Sequence, residues 1–412
     1  MSSLTWWFLI NPNFVESVTA LLPSPDTRPS SALWRIAKSG LKTIALLCFT
    51  VAFSNQAVAQ CCAGGSGSPL AGGASQGVLP ERQVELNTNF QFIRTNKFYS
   101  KDSRQATKTF DSFQSAYESF RFGYGVTKNF TMSVETGYYF NKKEAGLNKD
   151  TATTYESRGI GDLILFPRYD IINWTEEKTR TELTLGLGIK IPLGSYNDST
   201  GNIEPFSGQT FYVTKPQAVQ LSSGAYDIIF YTFFFRGYTK PGFRIFANAL
   251  YVRKGYNPNG EKSGDFASFG LFAGKTFFRN FGITLQARFE WSGKMKINEY
   301  ILLFGKPSTY YPDATGYKKI FITPQLSYTK GKFIVYAASD FPVYQYLNSS
   351  EYYTQVGSEH SLTAGLSFRF FATRPDKKLK GTAKYYCPMH PEEISDHPNK
   401  CSRCGTDLEQ AK

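Results

Sequence analysis

Between residues 82 and 371, apolar and polar positions alternate in segment after segment. In TELTLGLGIKI, Leu183, Leu185, Leu187, Ile189 and Ile191 alternate with Glu182, Thr184, Gly186, Gly188 and Lys190. A period of two places one set on each face of a β-strand. FGITLQARFEW sets Phe281, Ile283, Leu285, Ala287 and Phe289 against Thr284, Gln286, Arg288 and Glu290. SLTAGLSFRFF sets Leu362, Ala364, Leu366, Phe368 and Phe370 against Thr363, Gly365, Ser367 and Arg369. The pattern predicts about twelve strands, near 84–98, 113–127, 129–142, 158–171, 179–193, 223–237, 242–256, 265–278, 280–296, 317–330, 332–346 and 359–371.

The links between these segments alternate in length. TKN, INWTEEK, GYTKP, RN and TKGK are short, and the links between them are mostly longer, above all 194–222 and 297–316. Tight turns at one end and long loops at the other describe an all-β, antiparallel up-and-down barrel of an outer membrane. Each segment has the roughly ten residues of a tilted crossing, and closure satisfies its backbone groups in hydrocarbon. A soluble secreted β-protein also alternates and is the rival reading. An even strand number returns both barrel ends to one side, so both termini are expected in the periplasm.

Alternation directs Arg121, Glu135, Asp162, Arg168, Glu182, Lys190, Arg288 and Glu290 into the lumen. Two readings stand side by side. The charges tune a polar pore or binding cavity, or they form an ion-pair network that fills a narrow barrel.

Composition agrees with many half-apolar strands: 16% aromatic residues, only 19% charged ones, and abundant Gly. The net charge of +13 is spread among acidic residues with no basic stripe, which argues against nucleic acid as a partner. Arg35, Lys38 and Lys42 precede the apolar run TIALLCFTVAF at 43–53, and Ala57-Val58-Ala59 follows. This is the layout of a secretory signal peptide, with the mature start near Gln60. A short membrane anchor and, through Cys61, a lipoprotein are the alternatives. The chain thus divides into an over-extended start (1–32), a signal peptide (33–59), a flexible Gly/Ser-rich segment (60–81), the barrel (82–371), a linker (372–384) and a metal-binding knuckle (385–410).

GIGDLILFPRY (159–169), GIKIPLGSY (188–196) and SSGAYD (222–227) resemble Gram-negative outer-membrane proteins associated with aromatic-compound degradation and hydrophobic-solute transport. The aromatic last strand resembles the sorting signal of such barrels. That signal usually ends the protein, whereas this chain continues past Phe371.

The continuation carries the cysteine chemistry. Cys387, His390, Cys401 and Cys404 are spaced C-x2-H-x10-C-x2-C. Three thiolates and an imidazole on two short pairs can close a tetrahedron around a metal ion. So short a tail buries too little apolar surface to fold unaided, and metal would supply its folding energy. The alternative for Cys401 and Cys404 is a disulfide. His397 is outside the spacing and reads as a solvated residue. Met389, Cys61 and Cys62 are weaker ligand candidates.

Tyr386, Cys387-Pro388-Met389-His390-Pro391 and Cys401-Ser402-Arg403-Cys404-Gly405 closely resemble the heavy-metal-binding domain of copper/silver efflux adaptors and metal-transporting P-type ATPases. The resemblance implies a heavy-metal ion: Zn, Cu(I) or Ag(I). Thr406 stands where that family usually has Met, and losing a soft thioether favours zinc.

The function expected is an outer-membrane channel or transporter with a periplasmic heavy-metal-binding tail, in metal transport or resistance. Lipid, a metal ion and an efflux adaptor would be its partners. The alternative is a hydrophobic-solute uptake channel with the metal site as a structural appendage. An enzyme is not expected: His360 and Ser361 are adjacent, and so fall on opposite strand faces.

Overall fold

The computed structural model describes residues 77–106, 110–146, 154–176, 179–203, 206–238, 243–277, 280–303, 312–349, 354–372, 385–386, 394–399 and 408–410. All fall within the unit Gln56–Lys412. The expected signal peptide, its cleavage site, Cys61, Cys62 and most of the linker lie outside the described residues.

Twelve antiparallel strands form the barrel: β1 (Gln83–Thr95), β2 (Ser112–Thr127), β3 (Phe130–Ala145), β4 (two pieces, Tyr155–Ile160 and Leu163–Thr175), β5 (Thr179–Ile191), β6 (Asp227–Tyr238), β7 (Phe243–Arg253), β8 (Phe266–Phe277), β9 (Phe281–Ser292), β10 (Tyr317–Lys330), β11 (Phe333–Leu347) and β12 (Ser361–Phe371). Each strand pairs with its neighbours in sequence. The cylinder closes where β12 meets β1, with Gln83 opposite Phe371 and Ile93 opposite Ser361. The barrel expected from the alternation is the barrel observed.

The two faces follow the period of two. On β9, Phe281, Ile283, Leu285 and Phe289 are exposed, while Thr284, Gln286, Arg288 and Glu290 are buried. The exposed apolar band ends in aromatic girdles. Trp174, Phe281, Tyr328 and Phe333 mark one end, and Tyr251, Trp291 and Tyr344 the other, as at the two interfaces of a membrane barrel.

The end that holds Gln83 and Phe371 also holds the tight links, and is here the turn end. Between β10 and β11 the turn has two residues, Gly331 and Lys332, with Gly331 at φ +55°. A two-residue hairpin needs such a left-handed first residue. The opposite, loop end carries the long links. Phe98–Ser100, Ser103–Gln105 and Gln355–Val356 pair there into a small sheet, and Ser199–Ile203 pairs with Thr210–Thr214. The 192–226 link buries Val219, Leu221 and Ala225, and Lys142 Nζ donates to the Gln220 carbonyl at 2.6 Å.

Two departures from simple alternation matter. The segment expected as one strand at 158–171 is broken at Gly161–Asp162, where Gly161 N–H donates to the Gly137 carbonyl (2.8 Å) beside a register shift in β3. The lumen is also not uniformly polar. Ile164, Phe166, Ile229, Tyr231, Phe233, Phe246, Leu250, Val252 and Phe272 form a buried cluster on the inner side of β4 and β6–β8. In DIIFYTFFF both faces are apolar, so period two could not separate lumen from lipid.

Candidate functional site

All eight residues read as lumenal lie on the inner face, in three groups. Near the turn end, Arg121 faces Glu135 (3.9 Å), and Arg168 and Glu182 sit beyond them. Three further residues complete this group. Arg369 donates to Glu85 Oε1 from Nη2 (2.5 Å) and Nε (2.8 Å), and Arg180 pairs with Glu182 at 3.1 Å. Toward the loop end, Lys190 Nζ is 2.6 Å from Asp162 and 3.3 Å from Asp227, which Lys254 also reaches at 3.0 Å. On the opposite wall, Arg288 pairs with Glu290 (3.0 Å) and Asp340 (3.3 Å) and lies over the Phe321 ring at 4.8 Å. Thr323 and Ser361 both donate to Asp340.

Buried charges persist when each is paired and hydrogen-bonded; Arg369–Glu85 and Arg180–Glu182 meet that condition, whereas Arg121 Nε and Nη1 and Glu135 Oε2 have no hydrogen-bond partner among the described residues. Sequence reasoning named one partner of several pairs and missed the other. Glu85 and Arg369 stand directly opposite each other in the β1–β12 register, and neither was among the lumenal residues read from sequence. Asp227 and Asp340 needed three-dimensional pairing to be found.

The apolar wall adjoins the turn-end charges. The Arg168 guanidinium is 5.5 Å from the centre of the Phe166 ring, and Phe166 meets Tyr231 edge-on at 5.4 Å. Phe246 stacks on Phe272 at 4.4 Å. Gly186 and Gly188, read from sequence as part of a polar face, make room for Phe166. A Cβ at either would come within 2.9 Å of its ring.

One strand-free segment enters the cylinder from the turn end. Gly77–Pro80 was expected as part of a flexible stretch, yet Val78, Leu79 and Pro80 are buried. Arg168 Nη1 donates to the Gly77 carbonyl (3.0 Å), Val78 N–H to Glu182 Oε1 (3.2 Å) and Leu79 N–H to Thr131 Oγ1 (2.7 Å). Arg82 N–H donates to the Gly125 carbonyl at 2.7 Å, and a Cβ on Gly125 would lie 1.9 Å from the Pro80 oxygen. The segment thus occupies part of the lumen against β2–β5.

The tail forms a separate small sheet. Tyr385–Tyr386 pairs with Ile394–Ser395 on one side and Glu409–Gln410 on the other, and Leu408 N–H donates to the Asn399 carbonyl at 2.8 Å. Cys387 and His390 fall between the first pair of strands, and Cys401 and Cys404 between Asn399 and Leu408. Both pairs are therefore bracketed in sequence by backbone pairing. These four residues and Met389 lie outside the described residues. His397 is exposed, and its N–H donates to Ser395 Oγ at 3.3 Å. Three thiols and an imidazole are a donor set that fits a soft or borderline metal ion. His360 is exposed, whereas its neighbour Ser361 is buried and donates from Oγ to Asp340 Oδ2 at 3.1 Å.

Residues 384–411 match the family model of the heavy metal binding domain. Among solved structures, an outer membrane channel from Pseudomonas putida F1 superposes with a TM-score of 0.51 at 11% identity, covering 71% of this chain and 97% of that one. KdgM porin (TM-score 0.34, 8% identity) covers 69% of this chain and 99% of its own. The P. putida toluene transporter TodX (0.34, 8%) covers 70% and 89%. No curated protein matches the chain. At these identities the likeness to the F1 channel speaks for the fold alone: residues 83–371 form an outer-membrane-type barrel, and residues 384–411 are similar to the heavy metal binding domain.

Proposed function

We propose that the protein is an outer-membrane channel with a heavy-metal-binding module on the periplasmic side, and that it works in metal transport or resistance. The observation that carries this reading is the tail's family match, on a chain whose remainder has a channel-type fold. Cys387, His390, Cys401 and Cys404 would hold the ion, with zinc favoured over Cu(I) or Ag(I) by the Thr406 departure. The β1 start and the β12 end emerge together, so the module is tethered at the turn end, where an efflux adaptor could meet it. Cellular zinc, copper and silver contents, with growth under each metal, are to be compared among wild type, a deletion strain and Cys401→Ser. Altered content in both mutants is expected; unchanged content and tolerance in both would remove the proposal.

The buried aromatic wall favours a second reading, passage of hydrophobic solutes with the tail as an appendage. Phe166, Tyr231, Phe246 and Phe272 give an apolar solute a surface that a purely ionic lumen lacks. Vesicles containing the protein should then swell faster in small aromatic solutes than in sugars of similar size. Equal rates count against this reading.

A further inference from the structure

Two buried cations inside the cylinder have only neutral partners. Arg168, 1% exposed near the turn end, donates from Nη1 to the Gly77 carbonyl at 3.0 Å, while its Nε and Nη2 have no hydrogen-bond partner among the described residues. Lys319, buried on the inner face of β10 near the loop end, donates to Ser358 Oγ at 2.9 Å and lies 4.3 Å from the centre of the Tyr317 ring. Neither forms an ion pair among the described residues, although a buried charge is costly until it is paired.

The carboxylates around them are engaged elsewhere. Glu290 stands opposite Lys319 in the β9–β10 register, yet it pairs with Arg288 at 3.0 Å, as Asp340 does at 3.3 Å, and Glu359 pairs with Lys97. At the other end Glu85 holds Arg369, Glu182 holds Arg180 and Glu135 faces Arg121.

Aromatic rings join the two cations. Lys319 borders a cavity of about 140 Å³ that Phe266 and Phe321 also line. Phe266 packs against the buried cluster that contains Phe272, Phe246, Tyr231 and Phe166, and the Arg168 guanidinium lies over the Phe166 ring. The Gly77 backbone sits where cation and rings meet: a Cβ there would run into Glu182 Oε1 and come within 3.3 Å of Phe233. A carboxylate in place of the Gly77 carbonyl would give Arg168 a charge-assisted bond, stronger than the neutral one it replaces.

We propose that the lumen selects small aromatic carboxylates. Lys319 receives the anion at the loop end, the ring follows the aromatic wall, and Arg168 takes the carboxylate in exchange for the Gly77 carbonyl. The proposal rests on the hydrophobic-solute reading above and narrows it to one class of solute.

The test places the full chain in planar bilayers at neutral pH, under a concentration gradient of sodium benzoate and, separately, of sodium acetate. Reversal potentials give the permeability of each anion relative to sodium. Benzoate is the larger ion, yet it should exceed acetate by roughly fivefold, the order of one aromatic contact. Arg168→Gln with Lys319→Gln should lower the benzoate-to-sodium ratio by roughly tenfold, the order of one hydrogen bond to a charged group. Lys319→Gln alone, beside a cavity and away from the Gly77–Pro80 segment, should already lower it, whereas Arg168→Lys with Lys319→Arg should retain it. Benzoate no more permeant than acetate in wild type, or a benzoate-to-sodium ratio that survives the double Gln substitution, overturns the proposal. Either result alongside faster vesicle swelling in neutral aromatic solutes would sink this proposal alone; without that swelling, the broader reading falls with it.

Discussion

Arg369 is among the residues on which the barrel's closure depends. It sits on the last strand, itself only partly exposed, and holds the buried Glu85 of the first across the seam. Removing one partner of a buried ion pair leaves the other charge stranded, at a cost of about 3–5 kcal/mol. Arg369→Ala should therefore lower stability to urea in detergent micelles by that order, and Glu85→Gln/Arg369→Met should recover most of the loss. An unchanged unfolding midpoint in Arg369→Ala would mean that the seam does not need this pair. At the loop end, Glu359 accepts from Lys97 Nζ (2.7 Å) and from Asn96 N–H (3.0 Å). Burial alone would raise its pKa, but these donors outweigh it and hold the carboxyl below its usual range. A carboxyl depressed in the folded state stabilises above its unfolded pKa, and that contribution is lost as pH falls through the folded value. The protection of the Asn96 amide, its exchange rate relative to the intrinsic rate at the same pH, should then fall as pH drops below the ordinary glutamate value of about 4.3, and Glu359→Gln should show low protection at every pH.

Strands and turns were the most legible level. Period two gave twelve segments, their faces and the alternation of short and long links, because a barrel in lipid needs one apolar face at every crossing. Legibility failed where that contrast disappears. DIIFYTFFF is apolar on both faces, and the inward glycines of β5 carry no sign that Phe166 lies across them. The Gly161–Asp162 break and the register shifts, as between Ala116 and Tyr117, depend on pairing with neighbours and leave no periodic mark. Turn chemistry, by contrast, can be read and tested. A Cβ on Gly331 would meet nothing within 4 Å, so replacing it isolates the backbone penalty. Gly331→Ala should destabilise by about 1–2 kcal/mol, while Gly331→Asn should cost less, since Asn tolerates a left-handed φ. Equal losses in the two variants would show that the penalty lies elsewhere.

Across the whole molecule, the charged groups, the aromatic wall and the Gly77–Pro80 segment share one cylinder. The segment is held by three side chain-to-backbone bonds and two small apolar anchors, little beside the ladder around it. Val78→Ser with Leu79→Ser should loosen it and raise mean single-channel conductance in planar bilayers severalfold. Unchanged conductance would show that the narrowest point is elsewhere. For the tail, the sequence was explicit about which residues could bind metal and silent about how it is built. The pairing of Tyr385–Tyr386 with Glu409–Gln410 joins the tail's two ends, a contact that ligand spacing does not encode.

The entry of Gly77 into the cylinder also bears on assembly. When β12 docks on β1, the ring must close around Gly77–Pro80. A bulky fusion placed just ahead of that glycine would act as a stopper in an unfinished hoop, whereas one attached after the tail would meet no such obstacle.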